Sequence, residues 1–324
     1  MGLLLLLGIF LESRTMKFPL PLAAALLLVA TSLASAQHRL ITQGNDKLAI
    51  VGKDGNIEWE LKWGGIHDIH VLPSGNIMVQ QGASKVVEID VKSKQVVWTY
   101  NSATSNGNSK KPVEVHAFQP LADGTVMIAE SGPGRIIEVN RDGKLLKEIK
   151  LKVNHPHPHT DTRLARKLES GHYLVCHEGD GAVREYDGKS GAVVWDYEVP
   201  MFGQEAKGGH GPEAFGNKCF AAVRLKNGHT LIATGNGHSI LEVTPEKKIV
   251  WEIHQKDLPG ITLAWVTCVE RLPNGNTLIG NCHAGPENPQ FIEVTPEKKV
   301  VWTWKDFTHF GNSTPVVAVL NENK

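Results

Sequence analysis

Imidazole titrates near neutral pH and can serve as general base, nucleophile or metal ligand, so the fifteen histidines of this 324-residue chain are where chemistry is first sought. Three of them form the run His155-Pro156-His157-Pro158-His159, with Asp161 close behind. Alternate residues of an extended strand point the same way. His157 and His159 could therefore share a divalent metal, with Asp161 as the carboxylate helper. The intervening prolines oppose this, because polyproline geometry has three residues per turn and splays positions two apart. For an enzyme, the expected catalytic set is His116, His177 and Glu130, a histidine acting as nucleophile or general base while Arg163 or a second histidine stabilises developing negative charge. For a binding protein, His67, His70, Arg163, His210, Gln81, Asn281 and His283 are the expected ligand contacts.

What must position these residues is a repeat. Turns of one kind recur at Leu72-Pro73-Ser74-Gly75-Asn76, Leu121-Ala122-Asp123-Gly124-Thr125, Leu168-Glu169-Ser170-Gly171-His172, Leu225-Lys226-Asn227-Gly228-His229 and Leu272-Pro273-Asn274-Gly275-Asn276, their glycines 47 to 57 residues apart. Apolar and β-branched residues flank each turn, the pattern of a hairpin. A third strand follows with a central glutamate (Glu88, Glu138, Glu185, Glu242, Glu293), then a fourth carrying Trp98, Trp195, Trp251 or Trp302. An incomplete unit runs from Leu40 to Trp59 and lacks its first strand, which the segment Thr314 to Leu320 could supply. Five full units and one split unit predict an all-β, six-bladed β-propeller of four-stranded blades, closed by pairing of the two terminal strands. A β-sandwich does not explain a period near fifty, and an open solenoid has no use for a split unit.

In such a ring, the loops between blades and those joining second to third strands emerge on one face. Most of the histidines fall there, and unlike the tryptophans and glutamates they break register with the repeat. Second-strand ends align as Gln43, Gln81, Glu130, His177, Thr234 and Asn281, polar every time, which predicts side chains facing a central pocket. The glycine-rich stretch Met201 to Lys218 interrupts the period on this face and reads as a lid. Asn101 to Lys111 reads as a flexible insertion.

Composition narrows the function classes. Lysine plus arginine equals aspartate plus glutamate at 34 each, which speaks against a nucleic-acid binder. Met16-Lys17, the apolar stretch Leu20 to Leu33 and the small-residue site Ala34-Ser35-Ala36 read as a signal peptide over residues 1–36, its true start at Met16. Residues 37–324 then form one exported domain, secreted or periplasmic, with no membrane span after cleavage. Export would permit disulfides among Cys176, Cys219, Cys268 and Cys282. Four cysteines allow three pairings, and buried free thiols are the alternative.

The segment Asp187-Gly188-Lys189-Ser190-Gly191-Ala192-Val193-Val194-Trp195 resembles the Asp-x-x-Thr-Gly-x-x-x-Trp docking motif of quinoprotein-like propellers with PQQ-like repeats, Ser190 standing in the threonine place. The resemblance implies that Trp98, Trp195, Trp251 and Trp302, and more loosely Trp59, dock one blade on the next. Lys147 occupies that place in the second full unit and departs from the pattern. Quinone-dependent members usually have eight blades and an adjacent-cysteine pair; neither is visible, which speaks against pyrroloquinoline quinone. Ile66 to Asn76 also resembles the propeller repeats of bacterial arylsulfotransferases, longer enzymes whose catalysis uses a histidine near the channel. Three functions stay open: an exported propeller binding a small polar or anionic ligand, or an extracellular protein or glycan, at a histidine-rich channel mouth; a histidine-dependent arylsulfotransferase, hydrolase or lyase; or a protein-interaction scaffold.

Overall fold

The structure is a computed structural model that describes residues 38–320; the expected signal peptide and the expected start at Met16 lie outside the described residues. Its strands run in chain order. The first sheet holds β1 (Leu40–Gly44), β2 (Lys47–Val51) and β3 (Ile57–Lys62). The second holds β4 (Ile69–Val71), β5 (Ile77–Gln81), β6 (Lys85–Asp90) and β7 (Gln95–Asn101). The third holds β8 (Glu114–Pro120), β9 (Val126–Ser131), β10 (Arg135–Val139) and β11 (Leu145–Lys150). The fourth holds β12 (Ala165–Lys167), β13 (Tyr173–His177), β14 (Ala182–Tyr186) and β15 (Val193–Glu198). The fifth holds β16 (Ala221–Arg224), β17 (Thr230–Ala233), β18 (Ile240–Val243) and β19 (Ile249–Ile253). The sixth holds β20 (Trp265–Arg271), β21 (Thr277–Cys282), β22 (Phe291–Val294) and β23 (Val300–Trp304). The last strand, β24 (Val317–Val319), returns to the first sheet and completes it in the order β24-β1-β2-β3.

These six antiparallel blades form the expected propeller ring. Closure is made by main-chain pairing of Leu40 with Val319, Ile41 with Ala318 and Thr42 with Val317. The Thr42 hydroxyl adds a 2.6 Å hydrogen bond to the Val316 carbonyl. Second and third strands are apolar on both faces and almost wholly buried, as in β9, where all six residues are buried. A sheet with two apolar faces needs a neighbour on each side. The core accordingly divides into clusters that each fill the gap between adjacent blades, including Leu40, Ala49, Leu278 and Phe291 between the sixth and the first. The hairpin glycines, such as Gly75 at φ 84° and Gly228 at φ 85°, occupy the left-handed region that a side chain would strain.

The in-register tryptophans and glutamates prove structural. Indole N–H groups of Trp59, Trp98, Trp195 and Trp251 donate to carbonyls in the next blade, at Val91, Arg141, Pro245 and Pro296, over 2.7–2.9 Å. A cation from the following blade lies on the ring, Arg141 on Trp98, Arg224 on Trp195 and Arg271 on Trp251. The repeated glutamate pairs with that cation, Glu88 with Arg141, Glu185 with Arg224 and Glu242 with Arg271. In the third blade Lys147 replaces the tryptophan and stands over Tyr173 of the next, whose hydroxyl donates to Glu138. Trp302 is capped by His38, which also contacts Glu293.

The expectation of a flexible insertion at Asn101 to Lys111 is corrected. Asn108 is buried and donates to the Ser102 carbonyl and to Glu130, so the loop is anchored in the blade. All four cysteines are free, and burial pushes the Cys268 and Cys282 thiols up to about 12.

Candidate functional site

The first strand of every blade faces the ring axis, and together these strands enclose a central cavity of about 260 Å³. Its wall takes residues from all six blades: Val317, His70, His116, Arg166, Ala221 and Thr267 stand for them in order. Histidine and arginine gather toward one end, where His67, His116 and Arg163 adjoin the aromatic face of Phe220.

Two strand irregularities aim side chains into this space. The β8–β9 register shifts between Val115 and Ala117, leaving His116 as the extra residue. The β20–β21 register shifts between Val266 and Val269, where Thr267 sits. A bulge bends its strand and redirects the unpaired side chain, and both shifts here present polar groups to the cavity.

His116 is buried, and its Nδ1 lies 3.0 Å from the Thr162 carbonyl. A carbonyl only accepts, so Nδ1 carries the proton in the neutral ring. Nε2 lies 3.1 Å from Glu114 Oε2, and His159 Nδ1 lies 2.8 Å from the same oxygen. Burial lowers the His116 pKa, with Glu114 opposing. The facing imidazoles, His116 first, hold the Glu114 carboxyl down to about 2. Burial, then the neighbouring His116 and Arg163, drives His67 well below the usual histidine range, so it is neutral at physiological pH.

Arg163 is buried with its Nε on Glu178 and its guanidinium 4.9 Å over the Phe220 ring. Three buried polar atoms of cavity-lining residues have no hydrogen-bond partner among the described residues: Arg163 Nη1, His67 Nδ1 and Thr267 Oγ1. Such groups cost stability when buried without a partner, and each calls for a physical reason, a bound water or ion among them.

Of the expected ligand contacts, His67, His70 and Arg163 line the cavity. His70 sends Nε2 to the Phe118 carbonyl at 2.7 Å. His210 and His283 form a separate group, their rings 5.2 Å apart, with the His210 ring tilted against that of Trp265 at 4.5 Å. Phe220 links that group to His67, so an aromatic path runs from the cavity to the 201–218 loop. This loop is tied to the ring through the Ala214 carbonyl, which meets His238, and through the Pro212 carbonyl, which accepts from Gln255, while the Lys207–Phe215 bridge lies within the loop itself.

The expected ring of second-strand residues is corrected. Asn281 spends its amide on the backbone of Ala264, Thr262 and Pro289; Gln43 and Thr234 likewise bond to backbone. Gln81 is half-buried at the end of β5, beside the Lys85 pairing, and is not among the cavity residues. Second strands lie between first and third strands, so their ends hold loops rather than face the axis.

The proposed catalytic trio does not assemble either. His177 is buried, with Nδ1 on the Asp161 carbonyl at 2.7 Å and Nε2 on the Tyr186 hydroxyl at 2.8 Å. Glu130 accepts from Asn108 and Arg135. Only His116 of the three reaches the cavity. In the expected metal set, Asp161 accepts the backbone N–H groups of His157 and Gly132, and His157 Nδ1 accepts from His159 N. Those two residues shape the loop, whereas His159 turns to Glu114.

Sequence reasoning missed Glu114, Asp68, Arg166, Phe220 and Thr267. For Glu114 the sequence offered only its place two positions before His116, and the bulge at His116 breaks the alternation that would relate them. Asp68 and Arg166 carried no such signal, being 98 residues apart and joined only by the ring.

No helix among the described residues is long and apolar enough to cross a membrane. No curated protein matches the sequence. Among solved structures, the fold is similar to that of a protein of unknown function from Bacteroides caccae, at 23% identity and TM-score 0.72, covering 89% of this chain and 100% of that one. It is also similar to a streptogramin B lyase, at 12% identity and TM-score 0.56, covering 89% and 95%. Virginiamycin B lyase from Staphylococcus aureus gives 14% identity and TM-score 0.52, covering 82% and 83%. At these identities the likeness is one of fold. The sequence pattern of the outer membrane protein assembly factor BamB matches residues 44–277. That span is more than half of the chain, and with the docking tryptophans in their repeating places it shows that the protein belongs to the PQQ-like repeat β-propellers of the BamB family.

Proposed function

We propose that the protein is an exported propeller that binds a small molecule bearing an anionic group, a carboxylate, sulfate or phosphate, in its central cavity. One observation carries this reading: Arg163, His67 and Thr267 line one cavity, and each has a buried polar side-chain atom without a partner among the described residues. An arginine N–H makes a charge-assisted bond to an anion, roughly twice as strong as a neutral one. A volume of about 260 Å³ is just below the usual ligand-pocket range of about 300–1,000 Å³, which suits a small molecule better than a polymer. Phe220 supplies an apolar wall for the rest of the ligand.

The test is a thermal-shift screen of the purified protein with aliphatic and aromatic carboxylates, aryl sulfates, phosphomonoesters and neutral sugars, followed by calorimetry. At least one anion class should raise Tm, and Arg163→Lys should weaken its binding by about tenfold or more, in line with a charged hydrogen bond of ~1.5–3 kcal/mol. Stabilisation by neutral sugars alone, or undiminished binding by the variant, would overturn the reading. Mass spectrometry of each stabilising ligand after incubation separates a binder from an enzyme.

A further inference from the structure

We propose that Glu114, His116 and His159 form a binding site for a divalent transition-metal cation such as zinc, with its open coordination side toward the central cavity. The proposal does not depend on the anion reading, although His116 lines the same cavity, and it rests on three geometric facts.

The first is convergence. Among the described residues, these three bring one ligand atom each within 4.8 Å of one another. They come from separate parts of the chain, a strand and a loop 45 residues apart. In a tetrahedral zinc site with bonds of about 2.0–2.2 Å, ligand atoms lie about 3.3 Å apart. The observed 3.1 Å between His116 Nε2 and Glu114 Oε2, and 2.8 Å between His159 Nδ1 and Glu114 Oε2, are near that edge length.

The second is the direction of the His116 ring. The Thr162 carbonyl takes Nδ1–H, which leaves Nε2 as the ring atom aimed at the Glu114 carboxylate. A carbonyl behind the other ring nitrogen is also the usual support of a metal-bound histidine, since it fixes tautomer and orientation. Ser131 and Thr162 exchange hydrogen bonds that hold this carbonyl's segment in place.

The third is placement. His116 lines the cavity while His159 is half exposed, so the group spans the wall between solvent and cavity. Two imidazoles and one carboxylate leave at least one coordination position open, as in catalytic rather than structural zinc sites. The neighbouring His67 ring, 4.8 Å from that of His116, lies on the cavity side. A cation here would add positive charge beside Arg163, where Glu178 already offsets the guanidinium.

The experiment uses purified protein stripped with a chelator, then titrated with Zn²⁺ by calorimetry and with Co²⁺ by visible absorption. One equivalent should bind, and Co²⁺ should give the d–d bands of a four- or five-coordinate site. Glu114→Gln and His159→Ala change partly exposed residues and should leave the circular dichroism spectrum unchanged. Each should weaken Zn²⁺ binding by more than about 100-fold, since even outer-shell partners of metal ligands are worth about 10–100-fold. His155→Ala, in the same histidine-proline run but paired with Asp180, should bind like wild type. Absence of a stoichiometric site in the wild type, or equal binding by folded Glu114→Gln and His159→Ala, would overturn the proposal. Loss of binding in His155→Ala alone would return the site to the exposed run and overturn it too.

Discussion

Arg166 in the fourth blade clasps Asp68 in the second through two hydrogen bonds of 2.7 Å, one to each carboxylate oxygen. The blade between them joins the clasp, Phe118 donating its N–H to Asp68 and offering its carbonyl to Arg166. Three blades are thus tied at the channel wall by one ion pair, its carboxylate buried and its guanidinium partly exposed. Burial alone would raise the Asp68 pKa, but Arg166 and then His70 more than offset it and hold the carboxyl below its usual range.

Removing one partner of a buried pair leaves an uncompensated charge, at a cost of about 3–5 kcal/mol. Arg166→Met should lower unfolding stability in urea by that amount. The double variant Arg166→Met with Asp68→Asn should lose less than Arg166→Met alone, because no charge is then stranded. If the double variant is the less stable of the two, the clasp is not an ion pair in the energetic sense.

His177 makes a prediction about acid. Burial, then Arg184, lowers its pKa from 6.5 to about 4. Between these values the unfolded chain takes up a proton that the folded chain refuses, so this contribution is complete above pH 6.5 and fades as pH falls toward 4. At about 1.4 kcal/mol per pH unit it amounts to ~3 kcal/mol. Depressed His67 and His116 act in the same direction, so the comparison is between wild type and His177→Gln. The variant's stability should change less over this range, while ligand and metal binding at pH 7.5 stay unchanged. A shared pH dependence would show that His177 is protonated in the fold.

The contrast between His177 and His116 also shows how far the sequence could be read. Period, hairpin glycines and docking tryptophans are local patterns, and each repeats, so the ring, the split blade and even the closing strand were legible. The histidines do not repeat, and their loops do not reveal which way a ring points. His116 faces the cavity because a single extra residue bulges β8, a feature with no signature in residue type. His177 lies at a regular strand end and is consumed by Asp161 and Tyr186. Reading strand-end polarity as channel lining failed because the axis is lined by first strands, whereas second-strand ends hold the backbone of neighbouring loops.

Trp251 tests the docking scheme. Its indole donates to Pro296 and lies under Arg271, which Glu242 holds. Trp251→Phe keeps much of the ring but removes the donor and weakens the cation contact. The expected loss is about 1–2 kcal/mol, read by urea unfolding, with no change in binding at the cavity. A neutral substitution would mean that the gap between blades is held by its apolar cluster alone.

Closure gives the last prediction. The Leu320 N–H donates to the Arg39 carbonyl over 2.8 Å, so the ends of the described chain are adjacent. What the first blade needs is a partner for β1, whichever peptide bonds are cut elsewhere. A circular permutant can therefore join residue 320 to residue 39 through a short Gly-Ser linker and open between Lys226 and Asn227, which are exposed in the β16–β17 hairpin. That cut leaves β16 at one terminus and β17 to β19 at the other, the same one-plus-three split that β24 and β1 to β3 make naturally. The permutant should keep the far-ultraviolet spectrum and a cooperative melting transition, because exposed loop tips tolerate new termini. Deleting residues 314–324 instead should abolish cooperative melting and promote aggregation, since it bares the β1 edge and removes Val316 and Val317 from the clusters on either side of the first blade. Cooperative melting of the truncated chain at the wild-type temperature would show that the ring does not depend on its closing strand.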